Sequence, residues 1–303
     1  MFVGREAELA KLESLYEQRS FQMAVVYGRR RVGKTTLINE FCRGKRTLSF
    51  TALEQSDADN LADFNRAIAS FFNLPASLGG FLSWTDALSF VADRARTERF
   101  IFVFDEFPYA AMRNEALPSI FQVAIDRAFK ETDAFLILCG SNQGFMESNV
   151  LGRKSPLFGR RTAQIKVRDL GFKDAAKMLS GLSAQDAFKF YGCFGGVPYY
   201  LQQLDPSAGL KENLARLYFD PMGFLYGEPE GLIRQEFQEP AIYNSILRAV
   251  AAGANRAKQI ADRVGIAQTT LPRYLKALES VGIIEKAVPF GESIETSKRG
   301  IYR

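Results

Sequence analysis

The chain has 303 residues, which at roughly 150 residues per domain predicts two or three domains. Its composition, 47% hydrophobic and 24% charged, is that of an ordinary soluble globular protein and excludes a disordered or fibrous chain. The absence of histidine excludes histidine-based triads, general bases and metal sites. Cys42, Cys139 and Cys193 match no metal or redox spacing, and we expect each to be a small buried hydrophobe. No apolar run resembles a membrane span or a signal peptide, so we expect a cytoplasmic protein with no membrane partner.

The first 168 residues alternate short apolar runs with helical stripes. The runs that we interpret as buried strands are residues 21–27, 47–51, 100–104 and 135–138. Such alternation predicts an α/β domain, in which a parallel sheet is flanked by helices on both faces. The strand signal stops near Phe172. We therefore expect an all-α lid over residues 169–239 and a third domain over residues 240–303.

The strongest motif is a complete G-x-x-x-x-G-K-[ST] phosphate loop at residues 28–35, between a predicted strand and a predicted helix. Glycines let the backbone wrap closely around phosphate, and the amides point inward at the positive end of a helix. Lys34 would bridge the β- and γ-phosphates, the Thr35 hydroxyl would ligate Mg²⁺, and Thr36 would lie near the α-phosphate. We therefore predict ATP or ADP with Mg²⁺ as cofactors of a P-loop NTPase domain. The loop residues assigned to the nucleotide are Gly28, Arg31, Val32, Gly33, Lys34, Thr35 and Thr36.

The motif places no requirement on the side chains of Arg29, Arg30 and Arg31. We expect these three side chains to be exposed to solvent.

A second buried strand ends in two carboxylates, Asp105 and Glu106. Beside a phosphate loop, Asp105 could hold Mg²⁺ through water, and Glu106 could orient and deprotonate the attacking water. The alternative is a strand end capped by two solvated acids. We assign Lys34, Asp105 and Glu106 as catalytic residues, and Thr35 and Asp105 as metal ligands.

Polar residues also follow the next predicted strand. Ser141 or Asn142 would lie between the loop and the acids, where a polar side chain could sense the γ-phosphate, unless this segment is a plain turn. Further along, Arg160 or Arg161 could reach the γ-phosphate of a neighbouring molecule as an arginine finger, which would require self-association. A structural ion pair is the alternative.

Several motifs together resemble the archaeal-type ATPase family, P-loop proteins of the STAND class that are related to AAA+ ATPases. The resemblance covers nearly the whole chain and rests on residues 2–9, 28–35, 105–109, 136–141, 155–162 and 195–198. It implies a nucleotide-operated switch, which holds ADP firmly and exchanges it for ATP when a partner arrives. Members usually continue into a further C-terminal domain, often nuclease-like. Since this chain stops at Arg303, we expect that domain to be missing or to have been removed.

The resemblance also implies where the adenine end of the nucleotide lies. The segment with Val3, Gly4 and Arg5 resembles the one that packs near adenine in the family. Pro198 ends a Gly-x-Pro that is similar to the one in the helical lid that touches the nucleotide. Residues 227–229 fit the same pattern, but the preceding Gly195 and the position in the lid favour Pro198.

The positive charge is concentrated in the last part of the chain. Residues 1–240 carry 29 Lys and Arg against 29 Asp and Glu, whereas residues 241–303 carry 10 against 5. A local basic surplus is typical of a nucleic-acid surface, although a solvated surface gives the same pattern.

This basic region has the pattern of a winged helix-turn-helix domain. Helical stripes are followed by a tight turn at residues 264–267 and a third helix from about residue 268 to residue 281. Ile283-Ile284 and Ile301 on either side of Gly291 predict a β-hairpin wing. The third helix would enter the major groove of double-stranded DNA, and Lys298 and Arg299 would contact phosphate from the wing. The residues assigned to DNA are Gln268, Thr269, Thr270, Arg273, Lys276 and Lys298. The alternative is that this domain docks on the lid or on a partner protein. Two features support it: the surplus of positive charge is modest, and Pro272 interrupts the third helix, which would contact the bases.

These patterns predict an ATPase that hydrolyses ATP slowly and couples this to a basic domain on DNA. Two other functions stay open. The first is a DNA-binding regulator in which the nucleotide is structural and turnover is negligible. The second is a protein-interaction scaffold, for which no salt-dependent binding to DNA is expected.

Overall fold

A computed structural model describes residues 2–75, 80–237, 239–294, 296–297 and 299–303. Contacts divide the chain into two compact units, Met1–Gln203 and Leu204–Arg303. The domain boundaries predicted after residues 168 and 239 stay predictions. None of the helices within the described ranges has the length and apolarity needed to cross a membrane.

The first unit is built on a five-stranded sheet. Its strands are β1 (Gln22–Tyr27), β2 (Thr47–Thr51), β3 (Ile101–Asp105), β4 (Phe135–Gly140) and β5 (Ala163–Lys166). They are ordered β2-β3-β4-β1-β5, and every neighbouring pair is parallel. Strands β1, β3 and β4 are buried along their whole length because helices cover both faces of the sheet. The predicted parallel sheet is confirmed.

Helices pack on the two faces of this sheet. They are α1 (Glu6–Tyr16), α2 (Lys34–Cys42), α3 (Asp57–Phe72), α4 (Trp84–Ala95), α5 (Phe107–Arg113), α6 (Leu117–Arg127) and α7 (Gln143–Phe145). On one face, Leu12 and Phe41 belong to the core that α1 and α2 form with the sheet. On the other face, α3, α4 and α6 pack around aromatic rings such as Phe64 and Trp84. The helical stripes therefore bury apolar area rather than bind a ligand.

Parallel pairing brings the carboxyl ends of the strands to one edge of the sheet. Strand β1 lies between β4 and β5. The chain leaves β1 and crosses over to β2, which is the edge strand at the far side of β4 and β3. Ligands of open α/β sheets bind where the strand order reverses in this way. The residues predicted to bind nucleotide follow β1, β3 and β4, so the topology gathers them at this edge.

Three helices complete the first unit. They are α8 (Phe172–Met178), α9 (Ala184–Phe194) and α10 (Pro198–Leu201). No strand occurs from residue 169 to residue 203, a stretch that is described throughout, so this part of the predicted lid is helical. Helix α10 begins with a proline, which is favourable at the first helical position because the N–H there has no acceptor within the helix.

The second unit is a small helical domain with a two-stranded wing. Its elements are α11 (Leu210–Leu214), α12 (Glu228–Glu236), α13 (Pro240–Ala251), α14 (Ala257–Val264), α15 (Leu271–Ser280), β6 (Lys286–Ala287) and β7 (Ile301–Tyr302). Strands β6 and β7 are antiparallel. Helices α12 to α15 share one apolar core, which contains Ile246, Ile260 and Leu275. The predicted winged helix-turn-helix fold is confirmed.

Two details predicted for this domain are wrong. The third helix begins at Leu271 rather than near residue 268, and Pro272 lies in its first turn, where proline is tolerated, so the helix is not interrupted. The first wing strand is Lys286–Ala287 rather than the isoleucine pair, because Ile284 is buried in the core and Ile283 packs against it.

The prediction that all three cysteines are buried is also partly wrong. Cys139 is buried in β4, but Cys42 is half-buried and Cys193 is exposed. Desolvation by burial raises the pKa of the Cys139 thiol. This cysteine is therefore a core residue rather than a nucleophile.

Candidate nucleotide-binding site

The phosphate-binding loop joins β1 to α2. Gly28 and Gly33 have φ angles of 154° and 93°, which L side chains rarely adopt. A Cβ atom at Gly28 would also collide with the carbonyl oxygen of Val167. Helix α2 begins directly after Gly33, and no side chain caps its first turn. Its leading amides are therefore available to an anion, at the end of the helix where partial positive charge accumulates.

Lys34 lies across this loop. The residue is only 6% exposed, and its Nζ donates hydrogen bonds to the carbonyl oxygens of Gly28 (2.9 Å) and Arg29 (3.1 Å). The ammonium group is thus held against the loop backbone rather than in solvent. A cation in this position is a strong donor for phosphate oxygens, because charge-assisted hydrogen bonds exceed neutral ones.

Thr35 and Asp105 meet beside the loop. Thr35 Oγ1 donates to Asp105 Oδ2 at 3.3 Å, although the two residues are 70 positions apart in the chain. Mg²⁺ prefers hard oxygen ligands, and in nucleotide sites it is usually held by one or two side chains together with phosphate oxygens and water. The described part of the chain has no cluster of three or more acidic or cysteine side chains that could hold a metal by itself. The pair fits a magnesium ion that arrives with a nucleotide.

These residues open onto a groove rather than a closed cavity. Thr35, Thr36 and Asp105 line one end of the groove, which has a volume of about 750 Å³ and runs between α2 and β2. The Thr36 side chain is exposed in the first turn of α2. Phosphate groups could therefore reach both threonines from solvent.

Glu106 follows β3 in a constrained conformation. Its backbone is left-handed, with φ 50° and ψ 43°, which is unusual for a residue other than glycine. The backbone N–H of Glu106 donates to Asp105 Oδ1 at 2.9 Å. Its carboxylate Oε2 accepts hydrogen bonds from both the amide (3.0 Å) and the hydroxyl (2.8 Å) of Ser141. The carboxylate is thereby directed toward the end of β4 and is not a freely solvated acid.

Ser141 and Asn142 have different partners. Ser141 is buried against Glu106, as described, whereas Asn142 Oδ1 accepts a hydrogen bond from the Phe145 amide at 2.9 Å and caps α7. Of the two residues considered as phosphate sensors, Ser141 is the one that contacts the acids. The sensor role assigned to Asn142 stays a prediction.

The opening segment of the chain and α10 both border the loop. Arg5 Nη2 donates to the carbonyl oxygen of Val32 at 3.0 Å and also to that of Arg168. The Cγ atom of Pro198 lies 4.0 Å from the position that a Cβ atom of Gly33 would occupy. The preceding residues, Val3 and Gly4, are half-buried. Contact of these residues with adenine stays a prediction.

The expectation that Arg29, Arg30 and Arg31 are solvent-exposed is wrong, because all three are half-buried and engaged. Their partners are Asp169 for Arg29, the Tyr109 hydroxyl for Arg30, and the rings of Tyr199 and Tyr200 for Arg31. The Arg31 guanidinium carbon lies 5.3 Å from the centre of the Tyr199 ring, within the range of a cation–π interaction. Sequence reasoning missed these partners because a loop motif carries no information about distant residues.

Arg160 forms a structural ion pair. Its Nε lies 3.1 Å from both carboxylate oxygens of Asp126, and its Nη1 donates to the carbonyl oxygen of Pro156 at 2.7 Å. The hydrogen bonds from Arg160, and after them those from Lys130, lower the pKa of Asp126 to about 2. These contacts favour a structural ion pair over an arginine finger as the role of Arg160. Arg161 lies over the Phe158 ring at 5.6 Å.

Most of the residues assigned to DNA lie just before α15 or within it. Gln268, Thr269 and Lys276 are exposed, and Thr270 is half-buried. Arg273 is exposed as well, and its Nη2 lies 3.4 Å from Glu239 Oε2. Lys298 lies outside the described residues. The surface around the start of α15 is thus exposed to solvent, and one of its positive charges, Arg273, is paired with Glu239.

The fold and the site define the class of this protein: a P-loop ATPase domain followed by a winged helix-turn-helix domain. The family model of ATPase domains found predominantly in Archaea matches residues 2–204, and that of the IclR helix-turn-helix domain matches residues 245–287. The chain therefore belongs to the archaeal ATPase family, as the motifs predict.

Comparison with individual proteins agrees with this assignment. An uncharacterized protein of Methanocaldococcus jannaschii is 33% identical over 304 residues, an alignment that covers all of this chain and 66% of the relative. The chain thus spans just under two thirds of that relative's length.

Two solved structures share the fold. The Walker-type ATPase of Pyrococcus abyssi superposes with a TM-score of 0.68 at 20% identity, covering 100% of this chain and 93% of the other. The Aeropyrum pernix ORC1 protein in complex with DNA gives a TM-score of 0.51 at 16% identity, with coverages of 100% and 88%. At these identities the likeness concerns the fold alone.

Proposed function

We propose that this protein is a STAND-type switch ATPase, which binds ATP with Mg²⁺, hydrolyses it slowly and changes the state of its C-terminal domain on DNA. The observation that carries the proposal is the convergence of Lys34, the Thr35–Asp105 pair and Glu106 at one edge of the sheet. A phosphate cradle, two metal-binding oxygens and a carboxylate base are the parts that phosphoryl transfer to water needs.

The loop would bind the nucleotide through its backbone and Lys34. The leading amides of α2 would donate to phosphate oxygens, and Lys34 would exchange its two carbonyl acceptors for the β- and γ-phosphates. Bound Mg²⁺ would neutralise the charge that develops on the phosphates. Thr35 and Asp105 are the side chains that would hold it, Asp105 through water.

Glu106 would orient the attacking water and accept its proton. One carboxylate oxygen already receives two hydrogen bonds from Ser141, and these limit the directions in which the carboxylate can turn. A base restrained in this way supports slow turnover that rises when a partner alters the contact. The same restraint favours the second candidate function, a DNA-binding regulator in which the nucleotide is a structural ligand.

Coupling to the rest of the molecule would begin at the loop itself. Arg5 bonds to the loop carbonyl of Val32, while Pro198 and Tyr199 of α10 approach Gly33 and Arg31. A change in loop conformation on nucleotide exchange would therefore alter the contacts of both the opening segment and α10. ADP release would be slow because these segments hold the loop from two sides.

The DNA association rests on the C-terminal domain. A helix-turn-helix places a helix in the major groove. Here Gln268 and Thr269 are exposed just before α15, and Lys276 is exposed within it. The domain also carries the whole positive surplus of the chain. Because phosphate contacts release counterions, binding to duplex DNA should weaken steeply as salt is raised.

The decisive experiment is steady-state ATP hydrolysis with and without duplex DNA, with Lys34→Ala as the matched control. Turnover that DNA stimulates and that Lys34→Ala removes is the expected result. A rate equal to that of Lys34→Ala in both conditions would contradict the ATPase proposal and favour the structural-nucleotide regulator. Absence of salt-dependent DNA binding would favour a protein-interaction scaffold.

A further inference from the structure

The loop of the wing, between β6 and β7, carries a highly exposed phenylalanine. Phe290 is 108% exposed, so its ring has at least as much contact with solvent as in an extended chain. Ile294, in the same loop, is 59% exposed. Single exposed apolar residues are common on protein surfaces, so exposure alone says little. Here the loop around the exposed ring has a defined, hydrogen-bonded conformation.

The loop that presents Phe290 is organised by its own polar groups. Lys286 Nζ donates to the carbonyl oxygens of Ile294 (2.7 Å) and Ser297 (3.1 Å), and Ser297 Oγ donates to Glu292 Oε2 at 2.6 Å. The Glu292 amide donates to the Pro289 carbonyl at 3.1 Å and closes the turn around Phe290. The backbone on either side of Phe290 is therefore fixed by hydrogen bonds within the loop.

A glycine directly follows the exposed ring. Gly291 has a φ angle of 84°, a left-handed conformation that glycine adopts without strain, and it reverses the chain directly after Phe290. The domain core is formed mainly by residues of α12 to α15, and Ile283 and Tyr302 pack against it. An exposed aromatic ring on a hydrogen-bonded turn is available to contact another molecule.

We infer that Phe290 is an apolar wedge, which enters the minor groove of duplex DNA and partly unstacks a base step while α15 lies in the major groove. The inference rests on the proposed DNA association and adds a contact that the basic residues do not supply. Proteins that bend DNA often insert Phe, Leu or Ile between base pairs in this way.

Charge favours DNA over a protein as the partner of this ring. One inserted ring is enough to unstack one base step. The surrounding domain carries 10 Lys and Arg against 5 Asp and Glu, so its field attracts a polyanion.

The test uses the full chain and two measurements that need no known DNA site. Affinity for a short mixed-sequence duplex is measured by fluorescence anisotropy at low salt. Unwinding is measured as the change in linking number when a relaxed plasmid is closed by topoisomerase in the presence of the protein. Phe290→Ala should bind about tenfold more weakly and lose the unwinding, because the apolar side chain that separates the base pairs is lost. Phe290→Leu should retain most of both.

The matched control is Phe219→Ala, which removes another exposed ring, 75% exposed, from the same unit but not from the wing. It should bind and unwind DNA like the wild type, and all variants should keep the wild-type thermal unfolding temperature. An equal loss in Phe219→Ala would contradict the wedge, because any exposed ring would then have the same effect.

Two further outcomes separate the wedge from the proposed function. If Phe290→Ala binds and unwinds like the wild type while Lys276→Ala weakens binding, DNA association stands and the wedge is overturned. If the wild type shows no salt-dependent binding to DNA, both the association and the wedge are overturned.

Discussion

Ser141 donates two hydrogen bonds to the same carboxylate oxygen of Glu106, from its amide at 3.0 Å and from its hydroxyl at 2.8 Å. The two residues follow neighbouring parallel strands, β3 and β4, which brings them together across 35 positions of sequence. The contact links the residue proposed as the base to the strand end that faces the phosphate loop. If Glu106 is the base, as proposed, a change at this contact would alter hydrolysis and leave the phosphate contacts of the loop in place.

Replacing the proposed base tests its role directly. Glu106→Gln keeps the shape and the acceptor oxygen but cannot take a proton, so turnover should fall by about 10²-fold or more. ATP affinity should change little, because the phosphate contacts come from the loop and Lys34. Turnover and equilibrium binding of a fluorescent ATP analogue are the measurements. Glu115→Gln, an exposed acid in the same unit, is the control, and unchanged turnover in Glu106→Gln would remove Glu106 from the mechanism.

Removing the Ser141 hydroxyl tests the restraint. Ser141→Ala loses one of the two hydrogen bonds to Glu106 and keeps the backbone one, so basal turnover should rise by about threefold to tenfold, the equivalent of one hydrogen bond. Ser141→Thr retains the hydroxyl and should resemble the wild type. A fall in turnover for Ser141→Ala would show instead that the hydroxyl assists the reaction, as a γ-phosphate sensor would.

The stacking of Arg31 on Tyr199 should slow the release of ADP. Arg31→Gln removes the cation, and Tyr199→Leu removes the aromatic face, so each should accelerate ADP dissociation by about twofold to fivefold. Because both changes remove the same interaction, the double variant should release ADP no faster than either single variant. Stopped-flow displacement of a fluorescent ADP measures these rates, and Tyr199→Phe is the control that keeps the ring. Fully additive effects would contradict the coupling.

Acid stability should depend on the pair of Arg160 and Asp126. Hydrogen bonds from Arg160 and Lys130 lower the pKa of Asp126 from 3.8 to about 2 in the folded protein. A depressed carboxyl pKa contributes stability above its unfolded value, and this contribution is lost as the pH falls from about 4 to about 2. The wild type should therefore unfold at a higher temperature than Asp126→Asn above pH 4, and this difference in unfolding temperature should become smaller as the pH falls below 4.

Arg160→Gln provides the matched test of the same pair. It removes the largest cause of the lowered pKa and should reproduce the pH profile of Asp126→Asn, while ATP turnover stays at the wild-type level. A strong loss of turnover at unchanged stability would contradict the structural role and support an arginine finger.

Local patterns in the sequence were sufficient for much of this architecture. The phosphate loop at residues 28–35 is recognisable because its glycines and its lysine have a fixed, short spacing. The buried strands are recognisable because strands covered by helices on both faces are continuous apolar runs. The archaeal ATPase family follows from the order of such motifs. The helical pattern predicts the start of α15 about one turn too early, which would put Pro272 in the helix interior, whereas this proline lies in the first turn, where it is tolerated.

Only the tertiary structure decided which of these groups meet. The pairing of β3 with β4 brings Ser141 to Glu106, and the packing of the opening segment and α10 brings Arg5 and Tyr199 to the loop. The half-burial of Arg29, Arg30 and Arg31 and the exposure of Phe290 were likewise not predictable from their neighbours in sequence. The physical reason is the same in each case: local propensity depends on residues a few positions apart, whereas burial and hydrogen-bond partners are set by segments that come together only in the folded chain.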